Sequence, residues 1–167
     1  MAGADIINDI SGGDLDRDMY KTISGLDVAY VMMHMQGTPQ TMQLNPQYGD
    51  VVYEVKNDLE KKIEKLNALG FKKIITDVGF GFGKNNEHNY QLLKQLAQFT
   101  DLGYPVLAGV SRKSMINKVI GTNPVTALNG TTVLNTIALM NGAKILRVHD
   151  VLEAQQAIDL VEYYSKQ

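Results

Sequence analysis

The sequence contains no cysteine, which excludes a disulfide framework and thiolate metal sites and agrees with a reducing, cytoplasmic setting. No run approaches the ~18 consecutive apolar residues of a membrane span, and the start lacks the basic-then-apolar pattern of a secretory leader. Charge of one sign is not in excess either. The formal net charge is −2, so nothing marks a general nucleic-acid or membrane-surface binder. What is present is a chain of 167 residues, 44% of them hydrophobic, enough to bury a core and most simply one domain over residues 1–167.

Five short apolar stretches read as strands, at residues 5–10, 29–35, 73–77, 105–110 and 144–148, each turning polar at its C-terminal end. Helical patterns lie between them. Residues 14–23 form a short one. Residues 50–69 form the clearest, with Val51, Val55, Leu59, Ile63, Leu66 and Leu69 at steps of three and four. The charged residues of that segment, from Glu54 through Lys62 to Lys65, read as a solvated face with i,i+4 pairs. Further helices are expected at 89–99 and 114–120. Another should start at Asn123-Pro124, an N-cap with proline at the first helical position. The last should start at Asp150, with Glu153 three residues on as a capping box.

Strands without polar alternation, separated by helices, indicate a parallel sheet covered by helices. An open doubly wound sheet and a (β/α)8 barrel both satisfy that pattern. Chemistry gathered at several successive strand ends favours the barrel, whose sites collect at one face. Five βα units make part of such a barrel, which needs ~250 residues. A Gly-Ala pair precedes the first strand at Gly3-Ala4 and the last at Gly142-Ala143. At Gly142 the glycine follows a helical pattern, as a left-handed cap would. Gly3 has no such helix before it, which points to a chain cut at its front.

The strand ends carry the chemistry. After the third strand comes Asp77-Val78-Gly79-Phe80-Gly81-Phe82-Gly83-Lys84. Three alternating glycines add no core volume and cost entropy when ordered, but they let the backbone approach a ligand closely. A glycine-rich connector whose acid caps the next helix is the plainer alternative. Other strand ends supply Asn8 and Asp9; Met33, His34, Met35, Gln36 and Gly37; Gly109 with Ser111-Arg112-Lys113; and Arg147 with His149. An acid, several cations, amides and aromatic faces would share one rim. Arg147 and His149 lie two apart on a strand and so face the same way, a fork and a ring donor suited to phosphate.

These motifs, in this order and spacing, resemble the dihydropteroate synthases of the pterin-binding enzyme family over essentially the whole chain. The resemblance covers the later part of those enzymes, from the fourth barrel strand to the eighth. It implies a partial TIM (β/α)8 barrel. It also implies condensation of 6-hydroxymethyl-7,8-dihydropterin diphosphate with p-aminobenzoate in folate synthesis, the step sulfonamides target. Asn8, Asp77, Lys113, Ile10, Met33 and Gly109 are implied for the pterin, with Asp77 and Lys113 as the catalytic pair. Phe82, Ser111 and Lys113 are implied for p-aminobenzoate, and Arg147 and His149 for the diphosphate, while Phe80 also reads as core. Mg²⁺ is implied as well, with its protein ligand outside this chain, and so is a homodimer formed through the late helices.

The family generally has proline where this chain has Val78, a change expected to alter local stiffness more than charge. Two other readings fit parts of the pattern. A non-catalytic pterin-binding paralogue would keep Asp77 and Lys113 without turnover. A reduced-folate methyltransferase barrel would share the pterin pocket without needing the pair Arg147 and His149.

Overall fold

The computed structural model describes residues 3–38, 40–42 and 45–167. Five strands alternate with helices: β1 (Ile6–Asp9), α1 (Met19–Ser24), β2 (Ala29–Met33), α2 (Val51–Ala68), β3 (Ile74–Asp77), α3 (Asn86–Lys94), a 3₁₀ turn (Leu96–Leu102), β4 (Val106–Ala108), α4 (Ser114–Ile120), α5 (Leu128–Met140), β5 (Ile145–Leu146) and α6 (Val151–Ser165). The strands form one parallel sheet in the order β1-β2-β3-β4-β5. Chain order and sheet order coincide, which is the winding of a barrel, and the five units make half of one. The doubly wound alternative, whose sheet order reverses at a switch point, is excluded.

Register sorts the strand residues onto two faces, because successive side chains alternate. Tyr30, Met32, Ile74, Val106 and Ala108 face the helices and join Val55, Leu59, Leu66, Leu92, Leu96 and Phe99 in the main core. Val31, Ile75 and Leu107, aligned through the pairings Val31 with Ile75 and Asp77 with Leu107, form a small second cluster on the concave face. Asp77 lies two residues beyond Ile75 and Asn8 pairs with Val31, so both belong to that concave side. Asp9, paired with Met32, belongs to the helical side.

Helix α2 begins as its sequence dictates: the Asp50 carboxylate accepts from Val52 N–H at 3.0 Å and Tyr53 N–H at 3.1 Å. Its face differs from the expected one at two places. Leu69 is exposed, since the helix ends at Ala68 and Leu69 turns outward ahead of Gly70. Lys62 is buried at 3% exposure rather than solvated. Its ammonium pairs with Asp14 at 2.7 Å and Asp58 at 3.0 Å and donates to the Ser11 carbonyl, tying the segment after β1 to α2.

The short helix expected from residue 14 begins only at Met19, because the chain after β1 first winds around the Asp9 carboxylate. The helix expected at 89–99 starts earlier, at Asn86. Asn85 and His88 form its capping box, the Asn85 side chain accepting from His88 N–H at 2.8 Å. It closes at Lys94 and passes into the 3₁₀ turn.

Helix α5 starts at Leu128, not at Asn123. Asn123 does cap, but it caps a separate turn by accepting from Val125 and Thr126 N–H, and the Pro124 and Val125 carbonyls go to Arg112. Asp150 makes no side-chain cap on α6, since its carboxylate is also held by Arg112. Gly3, Gly70 and Gly142 share left-handed φ values of 73, 79 and 94°. The residues preceding Gly3 lie outside the described set.

Candidate functional site

The loops after β1, β2, β3, β4 and β5 open at one end of the sheet, where parallel strands in barrels place their chemistry. Asp77 closes β3 and is fully buried. One carboxylate oxygen, Oδ1, accepts from Gly79 N–H at 2.8 Å. The other, Oδ2, lies 3.0 Å from Arg147 Nη1 in an ion-pair contact and has no hydrogen-bond partner among the described residues. Arg147 Nη1 also donates to Asn8 Oδ1 at 3.0 Å, so residues from β1, β3 and the end of β5 meet directly.

Lys113 completes the group from the loop after β4. Its ammonium donates to the Phe80 carbonyl and sits 4.9 Å from the centre of the Phe82 ring, a cation–π distance. Burial pushes the Lys113 pKa down to about 8, with Arg147 adding to the effect and Asp77 opposing it. Phe82 remains partly open to the site, while Phe80 is fully buried in the main core. Met33 is buried, Ile10 half-buried and Asn8 exposed, so the three present an apolar wall and an amide edge of graded accessibility.

The glycine loop is shaped from within by Lys84, whose role the sequence pattern did not show. Lys84 is 2% exposed. Its ammonium reaches Phe82 O at 2.9 Å, Gly79 O at 3.0 Å, His34 Nδ1 at 3.1 Å and His34 O at 3.3 Å. Burial pushes its pKa down to about 7, against the pull of Asp77. His34 is pushed down to about 2 by burial and the neighbouring lysines, so its ring is a neutral acceptor. At Gly79, with φ at 70°, a Cβ would collide with the His34 carbonyl oxygen. Asn89, buried in α3, accepts from Gly81 N–H at 2.7 Å and fixes the far side of the loop. Val78 packs fully buried in the main core.

Beside this group, Gly109, Ser111, Lys113, Arg147, Val148 and His149 line a cavity of about 190 Å³. Gly109 makes room for the guanidinium: a Cβ there would stand 2.7 Å from Arg147 Nη2. Ser111, expected beside the benzoate, is 4% exposed and directs its hydroxyl to His149 Nδ1 at 2.9 Å. A larger cavity, about 440 Å³, lies between α5 and α6 in the outer layer and holds none of these residues. The expected site residues are therefore brought to one rim.

Asp9, the other strand-end acid, is used differently. Its carboxylate accepts from Ser11 N–H at 2.8 Å, Ser11 Oγ at 2.7 Å, Gly13 N–H at 2.7 Å and Tyr30 Oη at 2.7 Å. Burial works to raise its pKa, but the hydrogen bonds from Tyr30, Ser11 and Gly13 outweigh it and hold the carboxyl below the usual range. Among the described residues no group of three or more His, Asp or Glu side chains is placed to hold a metal ion. None of the helices described is long and apolar enough to cross a membrane.

Residues 1–149 match the family model described as pterin binding enzyme. The chain is 47% identical to the dihydropteroate synthase of Haemophilus influenzae over 151 residues, which cover 89% of this chain and 54% of that relative. It is 44% identical to the Escherichia coli K12 enzyme of the same name, over 96% of this chain and 57% of the relative. The chain thus spans just over half the length of these curated relatives. Among solved structures, the Yersinia pestis dihydropteroate synthase with a sulfonamide drug complex superposes with a TM-score of 0.94 at 37% identity, covering 98% of this chain and 60% of that one. The Thermus thermophilus dihydropteroate synthase in complex with 4-aminobenzoate superposes with a TM-score of 0.91 at 39% identity, covering 96% and 66%. By the extent of that family match, the chain belongs to the pterin binding enzyme family.

Proposed function

We propose that this chain supplies the pterin and diphosphate sites of a dihydropteroate synthase, joining 6-hydroxymethyl-7,8-dihydropterin diphosphate to p-aminobenzoate with release of diphosphate. The observation that carries this reading is Asp77 Oδ2, a buried carboxylate oxygen in ion-pair contact with Arg147 but without a hydrogen bond among the described residues. Leaving such an atom unsatisfied is costly, and the 2-amino and ring N–H groups of a pterin are the donors that would complete it. Lys113 would donate to the pterin's acceptor edge, Asn8 would meet its mixed edge, and Ile10, Met33 and Gly109 would flank the ring. Phe82 and the Ser111–Lys113 loop would border p-aminobenzoate, a substrate supported by the complex of the Thermus thermophilus relative with 4-aminobenzoate.

In the reaction, the bond from the pterin methylene carbon to the diphosphate oxygen breaks, and its electron pair leaves with diphosphate. The aniline lone pair forms the new C–N bond, and the proton lost from that nitrogen passes to the released diphosphate or to water. Arg147 and His149 would hold the departing charge, and Asp77 with Lys113 would keep the methylene aligned for attack. Magnesium is expected with the diphosphate. The cavity's lining side chains are those of Ser111, Lys113, Arg147, Val148 and His149, two cations and no carboxylate among them; they do not fit a metal ion, so no step is assigned to one. A cytoplasmic setting is supported by the lack of cysteine. Pairing of two copies through the late helices is supported by the exposed Leu160, Tyr163 and Tyr164 of α6.

Calorimetric titration with 6-hydroxymethyl-7,8-dihydropterin tests the reading. Binding by the unchanged chain and its loss in Asp77→Ala are expected; equal affinity in the two would overturn it. Formation of dihydropteroate, inhibited by a sulfonamide, separates a synthase from a pterin binder without turnover. Diphosphate inhibition that disappears in Arg147→Ala separates it from a methyltransferase.

A further inference from the structure

The hydroxyl of Ser111 meets His149 twice. Its Oγ accepts the backbone N–H of His149 at 3.2 Å and lies 2.9 Å from Nδ1 of the ring. Ser111 is 4% exposed, and its hydroxyl proton has no other acceptor among the described residues. Buried hydroxyls keep their protons on acceptors, so the O–H donates to Nδ1. A neutral imidazole that accepts at Nδ1 carries its own proton on Nε2. One residue further along both loops, the Arg112 guanidinium forks onto the Asp150 carboxylate at 2.9 and 2.7 Å. Arg112 adopts φ 56°, a left-handed value uncommon outside glycine, and its backbone N–H donates to Thr131 Oγ1 at 3.0 Å. Two successive pairs, 111 with 149 and 112 with 150, thus join the loops after β4 and β5.

We propose that Ser111 is a positioning residue that fixes His149 as the Nε2–H tautomer, so that the ring offers a donor beside Arg147 to a phosphate-type anion. The inference deepens the diphosphate reading above and rests on it. The opposite tautomer would turn a lone pair toward the phosphate oxygens and repel them. Asp77, Lys113 and Arg147 set the charge of the rim, but none of them touches Nδ1.

The test uses nitrogen-15 spectra of the imidazoles in the whole chain at pH 8, above the range where a histidine ring is protonated in water. The chain has three histidines, and His149→Gln identifies the relevant one. The unchanged chain is expected to show the Nε2–H pattern for His149, with Ser111→Ala shifting the ring toward Nδ1–H. Inorganic diphosphate should bind about tenfold more weakly to Ser111→Ala, and Ser111→Thr should restore both readouts. In the His149→Gln background, where an amide supplies the N–H without a tautomer, adding Ser111→Ala should change diphosphate affinity less than twofold, as a double-mutant cycle requires. An Nδ1–H ring in the unchanged chain, or equal diphosphate affinity in Ser111→Ala, overturns the inference alone. No diphosphate binding by the unchanged chain overturns the anion grip itself and this inference with it.

Discussion

Two aspartates end neighbouring parts of the same sheet and do opposite work. Asp9, at the end of β1, is saturated by its own chain: four donors from Ser11, Gly13 and Tyr30 surround it. Asp77, at the end of β3, is more deeply buried yet receives one hydrogen bond, and Oδ2 has the Arg147 ion pair but no hydrogen bond among the described residues. The lysines nearby repeat the contrast. Lys84 gathers four acceptors beneath the glycine loop, whereas Lys113 gives one bond to a carbonyl and stands over Phe82. A group whose bonds are complete holds structure, and a buried group left incomplete is held ready for something that arrives.

Exchanging the two aspartates for alanine is the strongest way to break this contrast. Asp77→Ala should lower pterin affinity by about 3–6 kcal/mol, the loss of two charge-assisted hydrogen bonds, and should also cost stability, since the Gly79 hydrogen bond and the Arg147 ion pair are lost with it. Titration and urea unfolding of the same sample read both. Asp9→Ala should do the reverse, lowering unfolding free energy by about 3 kcal/mol because Tyr30, Ser11 and Gly13 all lose an acceptor. Pterin affinity of the remaining folded protein should be unchanged. If Asp9→Ala weakens the ligand as much as Asp77→Ala does, the distinction between the two ends is wrong.

Titrating Lys113 sharpens the contrast on the ligand side. In the proposed site the ammonium form of Lys113 would donate to the pterin, and its pKa lies near 8. Affinity should therefore be flat below pH 8 and fall by about tenfold per unit above it, a dependence that Lys113→Met should abolish along with most of the binding. Stability runs the other way: between about 8 and the ordinary lysine value of 10.5, the unfolded chain holds the proton more tightly, so folding becomes more favourable as pH rises. The smallest effect is expected from Tyr30→Phe, which removes one donor from Asp9. It should cost about 1 kcal/mol of stability and leave ligand affinity unchanged.

Much of this was legible in the sequence, for identifiable reasons. Apolar strand runs and the three-and-four spacing of α2 depend on local pattern, and Asp50 caps α2 using neighbours two and three residues away. The strand-end residues were legible because parallel strands carry them all to one side. What the sequence concealed depends on partners far along the chain. Asp150 looked like a cap, but Arg112, 38 residues earlier, takes its carboxylate. Lys62 looked solvated until Asp14 closed over it. Asn123 looked like the start of a helix, but Arg112 claims the carbonyls that follow it. Lys84 was visible only as the last letter of a glycine motif, since its ligands at His34 come from another strand's loop. The acceptor count around a buried ammonium is a property of space, and no spacing rule along the chain reports it.

The sheet's order has a consequence for how the molecule is made and unmade. Each strand after β1 pairs with the one synthesised just before it, so each new βα unit can dock on a surface already formed. Each pairing still joins residues far apart in the chain, such as Tyr30 with Ile74, and parallel pairing of that span is slow to form. Amide exchange with deuterium should then be slowest in β2, β3 and β4, which are flanked on both sides.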